Sequence, residues 1–513
     1  MTGSVIMVQG TASSVGKSLV VTGLCRLFRR AGLRVAPFKA QNMALNAAVA
    51  ADGGEIGRAQ AVQADAAGID PTVDMNPILL KPEGDSRSQV VVLGKPSASM
   101  SATEYHRHKP ELRAVVRDAL ARLRAHFDVV VIEGAGSPAE VNLKDRDIVN
   151  MDVAKAAGAR VLLVGDIDRG GVFAAFVGTM ELLPPDERAL VGGFLVNKFR
   201  GDPRLLDSGL DFLRERTGVP VVGVLPYLRG LRIADEDSVS LDHRRRTRRA
   251  APGELEIAIV RLPRIANYDE FDALEHEPGV VVRYVDQPEE LRGADLVVLP
   301  GSKSTAPDLR WLRASAVADE LAARAARGDP ILGVCGGCQM LGRAVLDPDR
   351  VESDEEEAAG LGLLPIVTRF RREKTTARVR ARPIAALLGP GEGVEVGGYE
   401  IHMGQVERLA GPPALRLLAR NGAACDVEDG AVSPDGAVVG TLVHGLLEDD
   451  GLRAALLARL RARRGLGEPS GPPIASREAE YDRLADALAI HLDWDVVCGL
   501  AGLRVPRPPV VGA

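Results

Sequence analysis

A chain of 513 residues is too long for one hydrophobic core, since cores stop growing near about 250–300 residues, so two domains are expected. With 46% hydrophobic and 26% charged residues the composition excludes a disordered or fibrous protein, and a net charge of -6 excludes a general nucleic-acid binder, which needs a basic footprint. No run of about 18 apolar residues is present to span a bilayer, and MTGSVIMVQG enters a strand-like run with no charged leader, so a cytoplasmic protein without a membrane partner is expected.

The first part of the chain alternates β-branched runs with amphipathic helical stretches: SVIMVQ (4–9), a helix from about Gly16, RVAPFK (34–39), FDVVVIE (127–133), RVLLVGD (160–166), LVGGFLVNK (190–198) and PVVGVLP (220–226). That rhythm predicts an α/β domain over residues 1–235, a parallel sheet buried on both faces with its ligands beyond the carboxyl ends of the strands. Strand 4–9 runs directly into Gly10-Thr11-Ala12-Ser13-Ser14-Val15-Gly16-Lys17-Ser18 and then a helix, the context of a phosphate-binding loop. Glycines let successive N–H groups face an anion, Lys17 reaches the terminal phosphates, and the Ser18 hydroxyl suits Mg²⁺. The spacing between Gly10 and Gly16 is one residue longer than the common form and resembles dethiobiotin synthetase and its relatives. That resemblance implies ATP held by Gly10, Thr11, Ser14, Val15, Gly16, Lys17 and Ser18.

Glu133 ends strand 127–133 beside this loop and is the expected second Mg²⁺ ligand, with Asp52, Glu55 and Asp166 next in line and a simple capping role as the alternative. Two further strand ends carry polar groups. Asn197 suits a nucleobase edge. Asp166, Asp168 and Arg169, with Lys39, suit a carboxylate substrate and phosphoryl transfer, although the chemistry alone leaves these roles open.

Residues 236–253 are charged, Arg-rich and aperiodic, and read as a surface linker. A second α/β series follows over 254–450: ELEIAIV (254–260), VVVRYV (280–285), DLVVLPG (295–301), a helix near 307–327, PILGVC (330–335), and a strand-rich stretch from about 363 that ends in GAVVGTLVHG (436–445). Residues 451–513 read as a helical, then Pro-rich, tail.

Strand 330–334 delivers Gly333-Val334-Cys335-Gly336-Gly337-Cys338-Gln339. A thiol at such a strand-to-helix elbow is activated by the helix dipole, which makes Cys335 the candidate nucleophile. The backbone N–H of Gly336 and one from the Gly301-Ser302 turn suit an oxyanion hole. The CxxC spacing also fits a redox pair, and the few sparse cysteines fit reduced thiols rather than disulfides. His444, at the end of strand 436–443, is the candidate base that favours nucleophilic chemistry, whereas no second Cys/His pair stands near enough for zinc. His402 lies inside a strand pattern and is expected to be structural.

The order Pro-Gly-Ser (300–302), Gly-x-Cys-Gly-Gly and then His resembles triad-type, class I-like glutamine amidotransferases. Many of these carry Glu two residues after the histidine, where this chain has Leu446. Glu448 is the possible substitute, and a Cys335–His444 dyad is the expectation. PFKAQNM (37–43), GEIGRAQ (54–60), MNPILLKP (75–82), NLKDRD (142–147), the 165–173 segment and YEIHMG (399–404) together resemble the cobyric acid synthase family. The resemblance implies an ATP- and glutamine-dependent ligase that amidates the b, d, e and g propionates of a corrinoid, adenosylcobyrinic acid a,c-diamide, through acyl phosphates. The alternatives are the related a,c-diamide synthase, a partition-type ATPase and a redox protein. Oligomeric state is not legible.

Overall fold

The computed structural model describes residues 2–83, 87–233, 248–389, 393–469 and 475–511, so most of the expected linker lies outside the described residues. In the first domain six strands lie in the spatial order Val221–Pro226, Val191–Phe199, Arg160–Asp166, Ser4–Gly10, Val129–Glu133 and Val35–Phe38, with every neighbouring pair parallel. Their continuous apolar sequences follow from burial on both faces. Ile6 and Val8 point into one core with helix α1 (Lys17–Arg30), while Val5 and Met7 point into the other with helix Ala102–His126. The register pairs Val8 with Glu133, Gly10 with Val164 and Asp166 with Asn197, which brings the predicted ligand residues to one sheet edge.

The chain end behaves differently from a plain tail. Helix Asp450–Arg464 buries Leu452, Leu456 and Leu460 in the second domain, as its place in sequence suggests. Helices Arg477–His491 and Trp494–Leu500 return instead to the first domain, where Leu484, Leu488 and Trp494 join α1 in one core. Trp494 packs against Phe28 at 5.2 Å between ring centroids, and Arg26 and Arg30 reach Asp482 and Asp486.

The second domain holds a sheet ordered Val280–Val285, Leu255–Val260, Leu296–Leu299, Ile331–Val334 and Val438–Thr441, all parallel, with Ala431–Val432 antiparallel at the edge. The helix expected near 307–327 is two helices, Thr305–Ala314 and Val317–Ala326, broken where Ala316 takes a positive φ of 58°. The strand expected over 436–443 is also divided. Val438–Thr441 stays in the parallel sheet, whereas Val443–His444 crosses into an antiparallel sheet and pairs with Tyr399 and Glu400. At the crossing Asp429 accepts from the Thr441 hydroxyl and from the Leu442 N–H, a backbone donor that lies outside both ladders.

A small sheet (Gln41–Met43, Ile78–Pro82, Arg87–Val92, Lys95–Ser101) and the hairpin Ala47–Val49/Glu55–Gly57 project from the first domain onto the second. Ala44, Ala47, Val49, Leu79 and Val91 pack there against Tyr399 and Ile401. Among the described residues no helix is long and apolar enough to cross a membrane.

Candidate active site

The loop after Ser4–Gly10 places Lys17 at the start of α1, its ammonium 3.1 Å from the Ala12 carbonyl oxygen and 3.2 Å from that of Gly136. Gly16 has φ 99°, and a Cβ there would lie 2.2 Å from the Asn197 side chain, so only glycine fits. Asn197 is buried beside the loop, its amide donating to the Val15 carbonyl at 2.8 Å and accepting from the Lys198 N–H at 2.8 Å.

Glu133 is fully buried at the loop's mouth. One carboxylate oxygen accepts from the Ser18 hydroxyl and from the Lys39 ammonium, each at 2.9 Å, and the other accepts from Gln63 at 2.6 Å. The predicted residues Lys17, Ser18, Lys39 and Glu133 therefore converge. Asp166 is bound by Lys198 at 2.7 Å on the same edge, but Asp168 and Arg169 face outward: Asp168 pairs with Arg200, and the Arg169 side chain is 66% exposed.

In the second domain Cys335 joins strand Ile331–Val334 to a helix with φ 49° and ψ -110°. Such a conformation is costly for a non-glycine residue and marks a nucleophile elbow, in which a sharp turn lifts the side chain clear of the backbone. Gly336 belongs to the same turn, where a Cβ would meet the Ser302 nitrogen at 2.8 Å; Gly301 lies against His444. Of the two expected oxyanion residues, Gly336 thus follows Cys335 in the turn and Gly301 lines the same cavity beside His444.

His444 is buried, and its Nδ1 lies 2.8 Å from Glu270 Oε1; the other Glu270 oxygen accepts from the Gly445 N–H at 2.9 Å. On the far side its Nε2 lies 3.3 Å from the Asn267 amide, and the ring shares a cavity with the Cys335 thiol, which donates to the Ile401 carbonyl at 3.7 Å. Burial disfavours the imidazolium, but Glu270 and Cys335 outweigh it and push the His444 pKa up to about 10. The geometry corrects the expected dyad. A carboxylate does orient the histidine, and it comes from Glu270, in the turn after strand Leu255–Val260. Glu448, the proposed substitute, is engaged elsewhere by Arg58 and Arg477. The signal was present in the sequence as an acidic pair, Asp269-Glu270, beyond a parallel strand's carboxyl end.

Cys338 is completely enclosed, and burial, with help from Asp429, pushes its thiol well above the usual range, so it is unsuited to a redox pair. His402 sits within strand Val396–Arg408, its Nδ1 2.8 Å from the Gly404 carbonyl and its Nε2 3.4 Å from Glu400. Its ring also lines the cavity in front of Cys335 and His444, whose wall includes Gly301, Ser302 and Gln339.

That cavity is walled in part by the first domain. Lys81 and Gln89 form part of its wall together with Lys303 and Lys374. Behind them Glu55 is buried between Lys81 and Lys374; burial opposes its charge, but the two ammonium groups hold its pKa down at about 2.

Residues 6–241 match the family described as the CobQ/CobB/MinD/ParA nucleotide binding domain, and residues 256–452 match the CobB/CobQ-like glutamine amidotransferase domain. The chain is 63% identical to the cobyric acid synthase of Sorangium cellulosum, over 98% of this chain and 99% of that one. It is 52% identical to that of Pelotomaculum thermopropionicum, over 99% and 98% respectively. Against that of Klebsiella pneumoniae the identity is 50%, over 96% and 97%. A nucleotide domain followed by a glutaminase, in a chain this similar to these enzymes, has one reading: the chain belongs to the cobyric acid synthase family, the glutamine-dependent, ATP-using amidating ligases of cobalamin biosynthesis.

Proposed function

We propose that this chain converts adenosylcobyrinic acid a,c-diamide to adenosylcobyric acid in the cytoplasm by amidating its b, d, e and g propionates. The observation that carries the reading is the cavity in front of Cys335 and His444, which is walled in part by Lys81 and Gln89 of the nucleotide domain. Nitrogen released there emerges against the domain that must use it.

In this reading Cys335 attacks the glutamine side-chain carbonyl as its proton passes to His444, which Glu270 holds in orientation. Gly301 and Gly336 border the oxygen that becomes negative, the protonated imidazole returns the proton to the departing nitrogen as ammonia, and water then cleaves the γ-glutamyl thioester to glutamate and the free thiol. Across the interface the loop from Gly10 to Ser18 binds ATP, Asn197 braces it, and Lys17 and Lys39 neutralise charge as phosphate passes to a propionate. Ammonia then displaces phosphate from the acyl phosphate. Asp166 stands at the same edge; Asp168 and Arg169 lie on its outer rim, where they meet the carboxylate of a large substrate.

Mg²⁺ fits the donors present, because Ser18 Oγ and Glu133 Oε1 lie together at the phosphate end of the loop, with the Lys39 ammonium on the same carboxylate oxygen. Bound there with the nucleotide, it supplies positive charge to the terminal phosphates.

The test supplies the a,c-diamide with ATP and either glutamine or ammonium, and follows products by mass spectrometry. Four successive amidations are expected from the wild type, none from Lys17→Ala with either nitrogen source, and amidation from ammonium alone by Cys335→Ala. Ammonium-supported synthesis by Lys17→Ala would place ATP elsewhere.

A further inference from the structure

Helix α2 (Arg58–Ala67) begins with a cation, has no acidic residue in its first turn, and receives no side-chain cap from Gly57. A positive charge at a helix N-terminus opposes the helix dipole, so nothing local favours arginine at this position. What holds it comes from the other domain. The Arg58 side chain is only 12% exposed, and its guanidinium donates to both Asp269 and Glu448 across the interface. Asp269 is 1% exposed at its side chain, and its second oxygen has no other partner among the described residues.

These partners adjoin the triad. Asp269 precedes Glu270, the carboxylate on His444 Nδ1. The Arg58 guanidinium carbon also lies 5.7 Å from the centroid of the Tyr399 ring, and that ring stacks on His444 with centroids 5.3 Å apart and planes 18° apart. The same interface lets Asn267, which faces His444 Nε2, accept from the Ala47 N–H of the first domain at 2.8 Å. The second domain thus supplies all three triad residues, while the first supplies what fixes their surroundings.

We propose that Arg58 is a positioning residue for glutamine hydrolysis: it pins the Asp269–Glu270 turn and the Tyr399 ring against His444, so the glutaminase reaches full rate only with the nucleotide domain docked on it. The inference rests on the assignment of Cys335, His444 and Glu270 made above. Lysine keeps the charge at this position but not the fork that spans two carboxylates, and alanine keeps neither.

The test uses full-length Arg58→Ala and Arg58→Lys, with steady-state glutamine hydrolysis and ammonium-supported amidation measured on each. Misplacement of a catalytic group by about 1 Å costs on the order of 100-fold, so Arg58→Ala should lose about 10- to 100-fold in kcat, with KM for glutamine changed less than about threefold. Arg58→Lys should recover part of that loss, and both variants should keep ammonium-supported amidation within about twofold of wild type. Hydrolysis by Arg58→Ala at the wild-type rate would overturn the proposal. So would an equal loss of both activities, which would make Arg58 a support of the interface alone. Failure of the wild type to amidate the corrinoid would count against the proposed function and leave the hydrolysis comparison intact.

Discussion

At the scale of single residues, the fold brings to His444 a carboxylate that the sequence reading passes over. Glu270 precedes His444 by 174 positions, and only the fold brings them to 2.8 Å. Glu270→Gln preserves the shape and removes the charge that fixes the imidazole tautomer and stabilises its protonated form. Loss of such a carboxylate costs on the order of 10⁴ in comparable triads, so glutamine hydrolysis should fall about 10²- to 10⁴-fold. Ammonium-supported amidation should be unchanged, and a loss in hydrolysis below about threefold would remove Glu270 from the triad. Cys335, Lys17 and Ser18 were legible because a strand, a glycine-bearing turn and a helix start announce them within a few residues. His444 was legible as a strand-end histidine, yet the crossing at Leu442 into another sheet was not, because the Leu442 N–H finds its acceptor in Asp429, on a different strand.

At the scale of elements, strands were read well because β-branched apolar runs specify burial on both faces. The closing helices were legible as helices but not in their destination. An apolar stripe states that a helix has a face to bury, and it does not state which core will receive it. Leu488 is fully buried against α1 in the first domain's core, far in sequence from the strands it helps cover. Leu488→Ala should destabilise by about 2–5 kcal/mol through lost contact and the cavity left behind. The loss should appear as a lower urea midpoint for the first domain's unfolding, with the second domain's transition unmoved. A shift of the second domain's transition alone would show that this helix serves the other core. Helix α2 is short but touches both sites, with Gln63 donating to Glu133 and Arg58 to Asp269. No periodicity discloses that either.

For the molecule as a whole, the two domains meet over polar contacts of high consequence, of which Glu55 is the most deeply placed. Its folded pKa of about 2 lies below the ordinary 4.5, so between those values the unfolded chain binds a proton that the folded chain does not. The stabilisation from Glu55 is complete above about pH 4.5 and is lost as pH falls toward 2. Glu55→Gln should therefore show a shallower fall in stability over this window than wild type in denaturant titrations at each pH; identical slopes would mean that its ionisation is not linked to folding. Two domains were legible from length and from the two strand series, whereas the wall that one domain lends to the other's pocket was not, because neither surface carries a periodic signature. The return of helices Arg477–His491 and Trp494–Leu500 to α1 also imposes a sequence of events in time. As the polypeptide leaves the ribosome, the strands of the nucleotide domain emerge first with α1, yet the outer side of α1 stays bare until residues 477–500 follow. The glutaminase has all its strands by then. The core around α1 is therefore completed only after the glutaminase strands have been made, so the two halves cannot mature simply in the order in which they are encoded.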